Sequence, residues 1–221
     1  VWVSLPATGK VALIDTSTFQ HVQDLPAGQQ PVRVALQPDQ RLLWVGNNAE
    51  EEGKSGVSVI DTQKRTLLKF IPTGRGHHEI AFSHDSRYVF VSNRDSGTLS
   101  VIDGSDLSLL KTLEVGPHPL SVAYSPLSQA VYVADGRDGG IRVIDARNHT
   151  LRSHIQAQPG LGPMRFSSDG RYGIVLNTLE NRAVVIDAAS DRLLHSLEVS
   201  AEPYQVTFTT AYAYAVSYTH L

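Results

Sequence analysis

Two adjacent histidines, at positions 77 and 78, are the clearest candidates in this sequence for a chemical role. His77 and His78 follow Gly-Arg-Gly at 74–76, and His118 lies in a Gly-Pro-His-Pro segment further along the chain. Imidazoles ligate metal ions and haem iron, and they act as acids or bases near neutral pH. Neighbours in an extended chain point to opposite sides, so we expect at most one of the pair to face a common site. Ordinary exposed loop histidines are the alternative.

The elements that position these side chains are indicated by a repeated strand-like sequence. The strand-like stretch TLSVID, which ends at Asp103, recurs as KVALID, GVSVID, GIRVID and RAVVID. Successive copies lie 46 residues apart once and 42 residues apart three times, and self-similarity at such a period indicates repeated supersecondary units. The repeated aspartates are Asp15, Asp61, Asp103, Asp145 and Asp187. An Asp at the end of a strand accepts an N–H two residues on, so we expect these residues to fix turns.

Each unit contains four short alternating runs separated by Gly, Pro, Asp, Asn and Ser, the pattern of antiparallel strands. Four such strands in about 42 residues predict the blade of a β-propeller, with a solenoid of parallel coils as the alternative. We therefore expect an all-β fold in one domain, 1–221, with about five blades. Full blades are predicted at 31–76, 77–118, 119–160 and 161–202, and partial blades at 1–30 and 203–221.

The connections between strands hold the candidate site. With the first strand of each blade innermost, the turns between strands two and three (2–3 turns) share a face with the connections to the next blade (4–1 connections). Ligand sites favour such loop-rich mouths. In the 4–1 connections, His77 stands where Pro31 and Pro119 stand, and His118 lies one position earlier in the next connection.

Charged residues on the inner strands extend this candidate site. Arg33 and Glu79 take the same position in neighbouring blades, so we expect an ion pair that lines the channel. Arg165 replaces an alanine of the other blades, and Arg94 follows Asn93 on the same face. Cations suit an anionic ligand, and a structural salt bridge is the alternative. The candidate ligand-binding residues are His77, His78, His118, Arg33, Glu79, Arg94 and Arg165, and the three histidines are the candidates for a metal.

We interpret the acidic segments as turns of the scaffold. The 2–3 turn at 47–56 is about four residues longer than its counterparts and carries Glu50, Glu51 and Glu52. Consecutive carboxylates bind hard cations when they converge, but we favour a solvated hairpin tip. The segment DGRDGG at 135–140 lacks the Glu that closes a calcium loop, so we expect a turn. Three further aspartates with an Arg two residues later also predict turns: Asp39, Asp85 and Asp169.

Composition excludes several classes of protein. The 221 residues are 41% hydrophobic and 19% charged. The net charge of −3, with mixed signs, argues against a nucleic-acid-binding protein, which usually has a basic stripe. No apolar run reaches the ~18 residues of a membrane span. The absence of cysteine excludes disulfides, zinc–thiolate sites, iron–sulfur clusters and covalent c-type haem attachment. The common hydrolase, phosphate-loop and dinucleotide motifs are missing, which disfavours an enzyme without excluding one.

The repeated pairs resemble a known family. RYVFVSN followed by GTLSVID, with RLLWVGN, QAVYVAD and RYGIVLN at matching places, resembles the YVTN-type β-propeller repeat. The resemblance implies an extracytoplasmic bacterial or archaeal protein. Its relatives include surface-layer and periplasmic binding propellers, lactonase-like propellers and haem-binding propellers of the nitrite-reductase type. Because such propellers commonly have seven blades, it also implies a fragment. Residues 218–221 match no other repeat and are expected to be foreign to it.

Three functions follow from this resemblance. The leading hypothesis is a non-catalytic extracytoplasmic propeller that binds a protein or small-molecule ligand through its loop face. The second is a redox or haem-binding propeller that uses His77 or His78, with His118 nearby. The third is a lactonase-like hydrolase, whose carboxylates the sequence does not identify. The cofactor is left open, with haem as the candidate.

Overall fold

A computed structural model describes residues 1–51, 53–209 and 211–218. Close contacts divide the chain into two compact units, Val1–Leu113 and Glu114–Leu221. Glu52 and the last three residues of the segment expected to be foreign lie outside the described residues. Among the described residues, no helix is long and apolar enough to cross a membrane.

The first unit contains one three-stranded and one four-stranded sheet, followed by a second four-stranded sheet whose last strand ends at Glu114. A short 3-10 turn, Pro6–Thr8, joins the first two strands. The strands are β1 (Trp2–Leu5), β2 (Lys10–Ile14), β3 (His21–Pro26), β4 (Pro31–Leu36), β5 (Leu42–Asn47), β6 (Gly56–Asp61), β7 (Thr66–Pro72), β8 (Ile80–Phe82), β9 (Tyr88–Asn93), β10 (Thr98–Asp103) and β11 (Leu109–Glu114).

The second unit contains two four-stranded sheets and one two-stranded sheet. The strands are β12 (Pro119–Ser125), β13 (Ala130–Asp135), β14 (Gly140–Asp145), β15 (Thr150–Gln156), β16 (Leu161–Phe166), β17 (Tyr172–Asn177), β18 (Arg182–Asp187), β19 (Arg192–Glu198), β20 (Pro203–Phe208) and β21 (Ala213–Ser217). The four-stranded sheets of the chain cover residues 31–72, 80–114, 119–156 and 161–198. The all-β prediction of four-stranded antiparallel β-propeller blades is confirmed, and the solenoid alternative is wrong.

The register repeats from blade to blade. Asp103 pairs with Tyr88 across β10 and β9, and Asp145 pairs with Ala130 across β14 and β13. A bulge recurs at one position between the third and fourth strands, as at Val59/Ile60 and Val143/Ile144. A recurrent bulge gives each blade the same extra twist, which prepares neighbouring sheets to stack.

The core lies between stacked sheets within each unit. The second and third strands are buried on both faces, whereas the fourth strands are largely exposed, as every residue of β19 shows. Trp44 meets Phe82 edge to face at 6.3 Å between ring centroids, and Tyr132 meets Phe166 at 4.8 Å. Each blade therefore buries its apolar faces against its neighbour, as in other repeat architectures.

The repeated aspartates fix turns, as predicted. Each one accepts a hydrogen bond from the backbone N–H two residues on. The distances are 2.8, 2.9, 2.8, 2.9 and 3.4 Å for Asp15, Asp61, Asp103, Asp145 and Asp187. Asp39, Asp85 and Asp169 accept the N–H of the Arg two residues on at 3.0, 3.1 and 3.0 Å. These carboxylates are parts of the scaffold.

Candidate functional site

The 4–1 connections and the 2–3 turns meet at one edge of the blades in each unit, which we call the loop edge. In the first unit, the Asn48 N–H donates to the Gln30 carbonyl at 3.0 Å, and the Asp95 N–H donates to the Arg75 carbonyl at 3.0 Å. In the second unit, the Gly136 N–H donates to the His118 carbonyl at 3.0 Å. Backbone bonds therefore hold both loop types together, and the side chains they carry share that edge.

An ion pair between two blades forms the centre of the candidate site in the first unit. The Arg33 Nη2 of β4 lies 3.0 Å from the Glu79 Oε2, which stands just before β8. The other carboxylate oxygen of Glu79 lies 3.7 Å from the His77 Nε2. All three side chains are partly exposed, and the buried Arg33 Nε has no hydrogen-bond partner among the described residues. The expected Arg33–Glu79 pair is present, and it brings an imidazole to its side.

His78 is fully buried, unlike its neighbour. Its Nδ1 lies 3.2 Å from the Ser92 carbonyl oxygen, and its Nε2 lies 3.1 Å from the Asn47 carbonyl oxygen and 3.2 Å from the Ser55 hydroxyl. Burial lowers the pKa of His78, because the charged imidazolium loses its water. One histidine of the pair is buried and the other is partly exposed. His78 thus joins two blades and presents no surface to a ligand.

A glycine makes this arrangement possible. Gly46 pairs with Arg33 across β5 and β4. A Cβ at Gly46 would lie 3.0 Å from the His78 Cβ and 3.4 Å from the Arg33 Cβ. The missing side chain therefore lets the buried imidazole and the guanidinium stem pack against the same backbone.

A cavity of about 350 Å³ opens at the loop edge of the first unit, between its two four-stranded blades. Arg94 lines it and donates from Nε to the Asp95 Oδ1 at 2.8 Å. Arg75 also lines it, and its side chain forms no hydrogen bond or ion pair within the described part of the chain. Arg75 was not among the predicted residues, although it belongs to the same unusual connection as His77. The histidine in place of Pro31 and Pro119 marks this connection as different from the others, and that difference would have identified Arg75 as well.

His118 and Arg165 belong to the second unit. The His118 N–H donates to the Asp135 Oδ2 at 2.5 Å, and the side chain lines a cavity of about 330 Å³. Arg165 lies in β16, and its Nη1 donates to the Met164 carbonyl at 2.8 Å. Of the predicted site residues, the structure thus joins Arg33, His77 and Glu79 in one cluster and places Arg94 in a cavity of the same unit.

The described residues of the acidic segments show no metal-binding geometry. Glu50 lines the cavity of the first unit, and the Glu51 Oε2 accepts from the Gln29 Nε2 at 3.3 Å. Within the described residues, no three His, Asp or Glu side chains are grouped to hold a metal ion. The 135–140 segment is a turn, as predicted, in which Asp135 accepts the Arg137 N–H at 2.8 Å.

Residues 2–122, more than half of the chain, match the family described as the cytochrome D1 heme domain. The chain belongs to the cytochrome D1 heme domain family. This match supports the predicted β-propeller class without singling out the YVTN repeat. The matched range contains the Arg33–Glu79–His77 cluster and the cavity beside Arg75 and Arg94.

Similar proteins cover the chain to different extents. Protein NirF of Pseudomonas aeruginosa is 29% identical over 97 residues, which are 43% of this chain and 24% of NirF. The chain therefore spans about a quarter of the length of that relative. Dihydro-heme d1 dehydrogenase NirN is 20% identical, with a TM-score of 0.76 over 92% of this chain and 44% of that chain.

Two further solved structures share the fold. A functionally unknown protein from Desulfotomaculum acetoxidans is 12% identical, with a TM-score of 0.83 over 98% of this chain and 72% of that chain. Hydrazine synthase of Kuenenia stuttgartiensis is 23% identical, with a TM-score of 0.68 over 80% of this chain and 51% of that chain. At these identities the structures support the fold alone.

Proposed function

We propose that this chain is a haem-binding propeller that binds an iron tetrapyrrole of the haem d1 type at the loop edge of its first unit. The observation that carries the proposal is the partly exposed imidazole of His77 beside the Arg33–Glu79 pair, inside the range that matches the cytochrome D1 heme domain. The name of NirN, which refers to a dihydro-heme d1, supports the same ligand class. This is the second of the three expected functions, and it now has more support than a non-catalytic scaffold.

The residues present fit such a group. Imidazole is a common axial ligand of haem iron, and arginine forks bind carboxylates. The Arg33 side chain is one-third exposed and binds Glu79 through Nη2, so its guanidinium lies at the surface of the cluster beside His77. Arg75 supplies a second guanidinium without a partner in the described chain, at the nearby cavity. Imidazole and guanidinium together suit an iron macrocycle with acidic side chains.

Glu79 acts on both of its neighbours. Its two oxygens lie toward Arg33 and His77, so the carboxylate holds the guanidinium and restricts the imidazole. A carboxylate next to an imidazole also makes it a better electron donor. A bound iron tetrapyrrole would supply the redox or small-ligand chemistry, and the residues of this chain would bind and orient it. We place the protein outside the cytoplasm, in keeping with the family resemblance of its repeats.

Haem titration of the purified chain tests the proposal. We expect saturable binding with a shifted Soret band, and we expect His77→Ala to remove the spectral signature of imidazole ligation. His84→Ala is the matched control, because His84 is exposed in the turn after β8 and is absent from the His77 cluster. Arg33→Ala should weaken binding about tenfold, as expected for one charge-assisted hydrogen bond. Equal spectra for His77→Ala and His84→Ala would refute the assignment of the ligand.

A further inference from the structure

Two cavities, one in each unit, occupy equivalent positions in the repeat. Each lies between successive four-stranded blades at the loop edge, with volumes of about 350 and 330 Å³. Four lining residues of each cavity take the same repeat positions. Two of them directly precede the predicted starts of successive blades, and the other two directly follow the second strands of those blades. In the first unit these are Gln30, Gly76, Asn48 and Arg94, and in the second they are His118, Gly160, Gly136 and Thr178. Blade geometry therefore creates the cavity.

The second cavity is lined by different chemistry from the first. Glu50, Asp95 and two arginines line the cavity of the first unit. Leu120, Leu161 and Leu179 line the cavity of the second unit, together with Arg137 and His118. Leu161 is fully buried, whereas Leu179 is 74% exposed at the rim, so the apolar wall reaches from the interior to the solvent. Such a surface favours a ligand with an apolar body.

The carboxylates of Asp135 and Asp138 are hydrogen-bonded to groups other than the Arg137 guanidinium and the His118 imidazole. Asp135 accepts backbone N–H groups from His118 at 2.5 Å, from Arg137 at 2.8 Å and from Asp138 at 3.0 Å. Asp138 forms two hydrogen bonds with the Arg142 guanidinium, at 2.8 and 2.6 Å. Neither the Arg137 guanidinium nor the His118 imidazole has a side-chain partner in the described part of the chain. An unpaired guanidinium beside an apolar wall suits a carboxylate.

We propose that the cavity of the second unit binds a small aliphatic carboxylate, whose head group contacts Arg137 and His118 and whose chain packs against the three leucines. The volume of about 330 Å³ lies at the lower end of the ~300–1,000 Å³ range of ligand sites, which fits a medium-chain acid. The residues of this site belong to another unit than the His77 cluster. The site is therefore independent of the proposed haem function.

Calorimetric titration with octanoate tests this site. We expect one saturable site on the full chain, and binding of 1-octanol at least about tenfold weaker, because the alcohol lacks the charge that Arg137 recognises. Arg137→Ala should weaken octanoate binding about tenfold or more. Arg171→Ala is the matched control, since Arg171 is an exposed arginine of the same unit in the turn between β16 and β17, and we expect its affinity to stay within about twofold.

A second variant tests the apolar wall. Leu179→Ser removes an exposed side chain, so the unfolding transition should stay in place while octanoate binding weakens several-fold. The proposal is overturned by the absence of saturable octanoate binding, by equal affinities for octanoate and octanol, or by equal losses in Arg137→Ala and Arg171→Ala. If the unmodified chain binds octanoate but not haem, the proposed function is refuted and the proposal for this cavity is retained.

Discussion

At the scale of single residues, Asp191 holds two blades of the second unit together. Its Oδ1 accepts the Tyr132 hydroxyl at 2.5 Å, and the Arg152 guanidinium forms bonds of 2.7 and 2.8 Å to its two oxygens. Arg152 also donates to the Ser128 carbonyl at 2.9 Å. Burial, with the Asp191 hydrogen bond, raises the pKa of the Tyr132 hydroxyl, which stays protonated and donates.

Asp191→Asn should destabilise the chain by about 1–3 kcal/mol, because it leaves the Arg152 charge without its partner. Asn tolerates the left-handed backbone at this position, where φ is 52°, so backbone strain does not contribute to the change in the free energy of unfolding. Urea denaturation at pH 7 measures the change in the free energy of unfolding. Glu198→Gln is the control, since this carboxylate is 88% exposed and lies 3.6 Å from Arg182, and we expect a loss below about 0.5 kcal/mol. Equal losses in both variants would contradict the prediction.

At the scale of elements, β8 is shorter than the other strands of the first unit's four-stranded sheets. The predicted blade begins at His77, whereas its first strand, β8, begins at Ile80. Ahead of it, the Glu79 N–H donates to the Ser92 hydroxyl at 3.1 Å, and His78 turns into the interior toward Ser55 of the lengthened 2–3 turn. Ser55 thus gives His78 a partner in the preceding blade, and the residues just before β8 carry contacts between the two blades.

His78 should make the stability of the first unit depend on pH. Its folded-state pKa is lowered from 6.5 by burial, so the unfolded chain binds a proton more readily. The stabilising contribution is therefore present above about pH 6.5 and is lost as the pH falls through the lowered pKa of the folded state. Each unit of pKa depression is worth about 1.4 kcal/mol.

Urea denaturation between pH 8 and pH 5 measures this dependence. His78→Gln should be less stable at pH 8 and should show a flatter pH profile than the unmodified chain. His84→Gln, which changes an exposed histidine of the same blade, should retain the original slope. A His78→Gln profile parallel to that of the unmodified chain would show that the buried imidazole does not titrate on unfolding.

The period of the sequence reveals the blades but only part of the site. Alternation and turn residues are local signals, so strands such as TLSVID and their closing aspartates could be predicted. The Arg33–Glu79 pair could be predicted as well, because both residues take one repeat position in adjacent blades. The buried His78 contacts Ser55, 23 residues away in the lengthened 2–3 turn, and no periodic signal contains that contact.

At the scale of the whole molecule, a turn aspartate that accepts a serine hydroxyl is repeated in several blades. The hydroxyl of Ser105 holds the pKa of Asp103 below its usual range, and the hydroxyl of Ser190 does the same for Asp187. The hydroxyl of Ser17, with nearby backbone N–H groups, lowers the pKa of Asp15 to about 2. Because these groups stay ionised in the folded chain, each contributes stability above the unfolded-state pKa of 3.8. That contribution disappears as the pH falls from about 3.8 toward the folded-state values.

Asp103→Asn separates this charge effect from the shape of the turn. The amide oxygen still accepts the Ser105 N–H, so the turn persists, but the stronger bonds to an ionised carboxylate are lost. We expect the variant to be less stable than the unmodified chain at pH 5–7 by at most about 1 kcal/mol, because solvent screens the exposed carboxylate. The gap should narrow as the pH falls below 3.8 through the lowered pKa of Asp103. Urea denaturation from pH 7 to pH 2 measures the gap, and a constant difference over that range would show that the amide disturbs the turn itself.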